Sequence, residues 1–221
     1  MLISMHALSL LMVSFHYLRG IFYMKHTRLI VLLEASLMAA FAVILDMLPS
    51  IKLSPSISIS IAMVPIFLLS YRRGWRAGLM GGFLWGILQI ALGDAWIATP
   101  VQMVIEYFIA FAFIGFAGIF AGKIQEALGK SRRSKAILWV VIATFAGSLA
   151  RYFWHFIAGF VFFAEYAPDD MSPLLFSLIV NGITMLGSAV LCSIVLMIMV
   201  NMAPRLIKVR THQQEISRKA S

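Results

Sequence analysis

The sequence predicts an all-α integral membrane protein of six transmembrane helices with both termini in the cytoplasm. Three observations carry that prediction. Hydrophobic residues fill 62% of the 221 positions and charged residues only 12%, with a mean hydropathy of +0.94. A water-soluble domain of this size cannot hide so much apolar surface. The apolar residues fall in runs long enough to cross about 30 Å of hydrocarbon, broken by charges and by Gly or Pro. The basic residues then fall on alternate sides of those runs. Arg19, Lys25, Arg28, Arg72, Arg73, Arg76, Lys123, Lys130, Arg132, Arg133, Lys135 and the five basic residues of the tail share one side; only Lys52 lies opposite, and Arg151 sits within a span. An excess of Lys and Arg marks the cytoplasmic face. The net charge of +9 therefore reports orientation, and no nucleic-acid partner is expected.

Residues 1–24 form an N-terminal extension ahead of a start at Met24-Lys25. Their apolar core is short for a span and lacks a small-residue cleavage site; an amphipathic surface helix is the alternative. Residues 25–203 form the six-helix domain, with spans at roughly 28–48, 57–71, 74–93, 99–121, 135–163 and 173–203. The last two exceed a bilayer's needs and should tilt or project. Residues 204–221 are a basic cytoplasmic tail. The run "SPSISISI" before the second span alternates with period two, so it reads either as an extended segment over the outer face or as a frayed helix start. Cys192 is the single cysteine, so no intrachain disulfide can form.

Polar residues inside the spans are the candidate chemistry. Counted at about 1.5 Å per residue, Glu106, His155 and Asn181 lie on three different helices at a common depth, roughly 10 Å below the outer surface. Ionisable groups in lipid are expensive and tend to face a cavity or a partner. Each also has a purely structural reading. Glu106 could pair with Arg151, Tyr107 could belong to the interfacial aromatic belt, and His155 could bond a backbone carbonyl. Asn181 could be interhelical glue. The common depth is what those separate readings leave unexplained.

Glycines at 74, 78, 82 and 86 recur every four residues on the third span, and Gly115, Gly118 and Gly122 smooth the fourth. Both stripes predict close helix contact. Ala35 and Ala39 form a small-xxx-small pair on the first span, readable as internal packing or as a docking face for another subunit. "ALGKS" lacks the first glycine of a phosphate-binding loop, position 124 being Ile. His155 is the one deep histidine, so neither a metal site nor another cofactor is expected.

The stretches "GFLWGILQIALGDAWIATPVQMVIEYFIAFAFIGFAG" (82–118), "ARYFWHFIAGFVFFAEYAPDDMSP" (150–173) and "FSLIVNG" (176–182) resemble the thiamine-specific S-component of energy-coupling factor (ECF) vitamin transporters. With the six-span plan, the likeness covers about residues 25–203. It implies a non-catalytic subunit of a bacterial cell membrane that captures thiamine from outside. Its implied partners are a coupling transmembrane protein and two cytoplasmic ATPases, which would account for the absent nucleotide motif. Carried over by motif, the resemblance makes Glu106, Tyr107, His155 and Asn181 polar contacts of the ligand and Phe163 and Phe176 aromatic ones. It also places Ala35 and Ala39 where such proteins meet the coupling subunit. A carboxylate suits thiamine's permanent cation, and aromatic faces add cation–π attraction.

The sequence departs from the resemblance at three points. Phe163 stands where the family commonly has Trp, Phe176 where it has Tyr, and the first outer loop carries no aromatic between Leu48 and Met63. Two alternatives follow: an S-component for another vitamin or a thiamine precursor, and an intramembrane enzyme using Glu106 and His155 as acid and base.

Overall fold

A computed structural model describes residues 28–54 and 57–209. The expected extension at 1–24, and the tail beyond residue 209, lie outside the described residues. Six helices carry the fold: α1 (Arg28–Asp46), α2 (Val64–Arg73), α3 (Trp75–Ala91), α4 (Pro100–Gly129), α5 (Arg133–Phe162) and α6 (Pro173–Met202). Four of them, α1, α4, α5 and α6, are long and apolar enough to cross a membrane. A boundary between two compact units falls within α1, between Glu34 and Ala35; the packing below concerns residues from Ala35 onward.

The helix ends follow local chemistry. Thr99 caps α4 by accepting the N–H of Gln102 at 3.1 Å, with Pro100 in the first turn. Ser172 caps α6 by accepting the N–H of Leu175 at 3.3 Å, followed by Pro173. In both places a hydroxyl takes an otherwise unpaired amide, and the proline stands where no N–H is needed. At 30 residues each, α4, α5 and α6 are about 45 Å long and must extend past a bilayer core of about 30 Å. Leu178, Leu186, Val190, Ile194 and Ile198 leave half-exposed apolar side chains along α6, a surface suited to lipid.

The second span is corrected. Helix α2 begins at Val64 and has ten residues, about 15 Å, too short to cross alone. Ahead of it lies a two-stranded antiparallel hairpin, β1 (Ile51–Ser54) and β2 (Ile57–Ile59), pairing Ile51 with Ile59 and Lys52 with Ser58. The period-two alternation of the serine–isoleucine run was the informative signal, and the isoleucines made hydropathy overextend the span. The hairpin is anchored on α6, where Gly187 leaves room for the Ile59 side chain.

Helices α3 and α4 meet backbone to backbone. A methyl group at Gly82 would overlap the Phe111 carbonyl oxygen, and one at Gly86 the Tyr107 carbonyl oxygen. Opposite this contact α4 is not regular: Val104–Ala110 widens into a π-helical segment and Ile114–Phe120 tightens into a 3₁₀ segment. Such single-turn widenings recur at functional sites, and Glu106 stands within this one.

Ala35 and Ala39, expected as a docking pair, are completely buried. Ala35 packs toward Gly81 and Ala39 joins the core with Met63, Val64 and Phe67, so the pair packs the protein's own interior. The small residues on the exposed side of α1 stand one position later, at Ser36 and Ala40.

Toward the opposite end of the bundle, buried polar groups close on one another. Tyr71 Oη lies 2.7 Å from Thr144 Oγ1 and donates to the Val140 carbonyl at 3.2 Å. Gln125 donates to the carbonyls of Tyr71 at 2.8 Å and Ile207 at 2.9 Å, and accepts from the N–H of Val209 at 3.0 Å. In lipid, where helices gain little from apolar burial, such bonds and close packing hold a bundle together.

Candidate ligand-binding site

The α4, α5 and α6 helices enclose a cavity of about 290 Å³ lined by Trp96, Glu106, His155, Phe163, Phe176 and Asn181, with Gly159, Tyr166, Ser177 and Val180 completing the wall. Five of the six expected ligand residues therefore share one chamber. The sixth, Tyr107, is turned to the outer loop. Its Oη accepts the N–H of Trp96 at 2.7 Å, so it supports the loop carrying a cavity wall and does not line the cavity.

Glu106 is held without a cation. One carboxylate oxygen lies 3.2 Å from His155 Nδ1, and the other accepts a hydrogen bond from the Gln102 amide. Arg151 Nε donates to His155 Nε2 at 3.2 Å. A guanidinium can only donate, so Nε2 must be the acceptor and Nδ1 carries the proton given to Glu106. This geometry fixes the neutral tautomer. His155 and Glu106 each leave little side chain exposed, 16% and 15%.

Arg151 was expected as a possible ion-pair partner of Glu106, and the structure does not form that pair. The guanidinium instead lies over aromatic faces, 4.3 Å from the Phe111 ring centre and 4.9 Å from that of Trp85. Cation–π attraction of this kind gains strength when desolvated. The arginine so stabilised touches Glu106 only through His155. The acid lines the cavity without a direct cationic partner.

Aromatic residues supply the remaining walls. Trp96 meets Tyr166 edge-on with ring centres 6.2 Å apart, and Phe163 meets Tyr166 at 6.1 Å. Tyr166 belongs to a 3₁₀ turn, Ala164–Tyr166, just after α5. Trp154, although near these residues in sequence, packs on Phe113 at 5.3 Å and is not part of the wall. Asn181 Nδ2 donates to the carbonyl and the hydroxyl of Ser177 at 3.0 and 3.2 Å, leaving its carbonyl oxygen to accept from a ligand donor. Gly159 is required beside it, because a methyl there would overlap the Ser177 hydroxyl.

A second cavity, about 250 Å³, lies on the other side of His155 and Asn181, which line both. Asp46, Ser58, Ser60, Arg151, Thr184 and Ser188 contribute to it. Asp46 accepts from the Gln89 amide. Among the described residues no group of three or more His, Cys, Asp or Glu side chains is arranged to hold a metal.

Sequence reasoning missed Gln102, Tyr166 and Ser177. Gln102 was available as the i−4 neighbour of Glu106, a spacing that places two side chains on one helix face. The π segment had no signal in the local sequence.

Comparison with known proteins fits this architecture. Residues 32–208 match the family described as "Thiamine transporter protein (Thia_YuaJ)". The chain is 43% identical over 183 residues to the thiamine transporter ThiT of Bacillus subtilis (strain 168), covering 82% of this chain and 95% of that protein. It is 37% identical over 185 residues to a thiamine transporter ThiT of Lacticaseibacillus paracasei, covering 82% and 92%. The solved structure of ThiT from Listeria monocytogenes superimposes with a TM-score of 0.80 at 37% identity, covering 83% of this chain and all of that one. The chain accordingly belongs to the thiamine transporter protein family, Thia_YuaJ.

Proposed function

We propose that this chain captures thiamine from outside the bacterial cell as the substrate-binding subunit of an ECF-type importer. The observation that carries the proposal is Glu106. An ionisable carboxylate faces an aromatic-lined cavity of about 290 Å³ with neutral hydrogen-bond partners and no adjacent cation of its own. A ligand with a fixed positive charge supplies what is missing.

In this reading the thiazolium sits against Glu106, and Phe163, Phe176 and Trp96 give it stacking faces. The Asn181 carbonyl meets a donor of the pyrimidine or the hydroxyethyl arm. His155, with both ring nitrogens engaged, lines the cavity and orients Glu106, and Tyr107 acts through the loop. The membrane domain is residues 25–203. Both termini are cytoplasmic by the distribution of Lys and Arg, so the cavity opens outward. A coupling membrane protein and two ATPases supply the energy, which matches the near-miss phosphate-loop motif. An acid–base enzyme is disfavoured because both members of the Glu106–His155 pair are already engaged, by Gln102 and by Arg151.

Titration of purified protein with thiamine, followed by tryptophan fluorescence, tests the reading, because Trp96 lines the cavity. Saturable quenching is expected, with the isolated pyrimidine and thiazole halves competing far more weakly. Absence of binding at high micromolar thiamine would refute it, and tight binding of one half alone would make a thiamine precursor the ligand.

A further inference from the structure

Gln102 is a buried group whose bonding exceeds what a helix needs. It is completely buried, in the first turn of α4, and its one side-chain amide serves three partners. Oε1 accepts the N–H of Ala98 at 3.0 Å. Nε2 donates to the Trp96 carbonyl at 3.0 Å and, with its other hydrogen, to Glu106. The orientation is over-determined. A backbone N–H can only donate, and a carbonyl and a carboxylate can only accept, so turning the amide over would break all three bonds. Few side chains can meet that demand: a carboxylate lacks the donors, and an ammonium lacks the acceptor.

The partners matter as much as the count. Trp96 and Ala98 lie in the outer loop between α3 and α4, and Trp96 forms part of the cavity wall. Tyr107 pins the same loop through the Trp96 N–H. One –NH₂ group is thus shared between the loop's backbone and the acid that faces the ligand.

We infer that Gln102 is a positioning residue that couples Glu106 to the outer loop, so that occupying the carboxylate and seating Trp96 against the cavity are a single event. The inference rests on the reading of this cavity as the ligand site. Coupling of this kind is reciprocal: whatever the seated loop contributes to holding the ligand, the ligand returns to the loop. Loss of the amide frees the loop, so the effect falls on ligand escape more than on capture.

The test has one arm without ligand and one with it. In ligand-free full-length protein, hydrogen exchange is compared between wild type and Gln102→Met, which keeps the volume and removes the bonds. Exchange should rise across residues 95–99 and stay unchanged in α5 and α6. With thiamine, stopped-flow fluorescence should give a dissociation rate about tenfold faster in Gln102→Met, the size expected for losing one charge-assisted bond, with a much smaller change in association. Gln102→Glu preserves the shape and serves as the second variant. Its dissociation rate, taken relative to wild type, should fall between about pH 8 and about pH 5, where the added carboxyl begins to protonate and regains a donor. Glu106, His155, Arg151 and Asp94 are common to both proteins, so any pH dependence of the ratio comes from the carboxyl added at position 102 and its coupling to the adjacent Glu106. Unchanged exchange at 95–99 in the Met variant would overturn the coupling, as would a Glu variant whose rate ratio to wild type is independent of pH. If wild type fails to bind thiamine, the ligand assignment falls, while the exchange arm still decides the latch.

Discussion

His155 and Asn181 divide two chambers of similar volume and opposite character. On one side are Glu106 and four aromatic residues, Trp96, Phe163, Tyr166 and Phe176; on the other are Arg151, Asp46 and a set of hydroxyls. The acid and the arginine are separated by a single imidazole and do not pair directly. In a medium of low dielectric, two bare opposite charges this near would be expected to collapse together. Here the arginine is held back by the rings of Trp85 and Phe111, and His155 passes on only a neutral hydrogen bond. The difference teaches how a membrane protein keeps a carboxylate and an arginine apart, and under the proposed function it leaves the carboxylate for a cationic ligand: the arginine is satisfied elsewhere.

The sharpest way to break this arrangement is at its scaffold. Gly86→Ala places a methyl against the Tyr107 carbonyl and forces α3 away from the π segment carrying Glu106. Overpacking of this kind costs about 1–3 kcal/mol. The thermal midpoint should drop by several degrees and thiamine affinity should fall with it. A variant with wild-type stability and affinity would mean that the π segment does not depend on this contact.

A smaller effect is expected on the other side of the partition. Arg151→Met removes the cation but keeps most of the apolar stem. Loss of the aromatic contacts should cost about 0.5–2 kcal/mol of stability, measured by thermal or denaturant unfolding in detergent. Thiamine affinity should change by no more than a few fold, because the residue reaches Glu106 only through His155. If Arg151 were the ion-pair partner of the acid, removing it would strand a buried charge and destabilise by about 3–5 kcal/mol.

The same comparison shows what the sequence could reveal. Glu106, His155 and Asn181 were readable together because helical rise converts residue counts into depth, and their helices have clear ends at Pro100, Lys135 and Pro173. The π segment was not readable, because it accompanies close packing against glycines of α3, some twenty residues earlier. Arg151's placement was hidden for a similar reason. Its partners are the rings of residues 85 and 111, brought to it by tertiary packing, whereas the sequence reading offered Glu106, an acid within a span, as its partner. The hairpin was half legible: alternation marked it, but isoleucine-rich strands and membrane helices have the same hydropathy. Ala35 and Ala39 fit a small-residue pattern equally well on either face of α1, and only the packed structure chooses the inner one.

The central claim is that Glu106 recognises a fixed positive charge, and a two-by-two binding experiment tests it most directly. Wild type and Glu106→Gln are each titrated with thiamine and with a neutral analogue carrying an uncharged ring in place of the thiazolium. Wild type should prefer thiamine over the neutral analogue by about 1.5–3 kcal/mol, the range for a contact with a charged group, and Glu106→Gln should lose most of that preference. If the glutamine variant discriminates between the two ligands as strongly as wild type, the acid is structural and the account of the cavity is wrong.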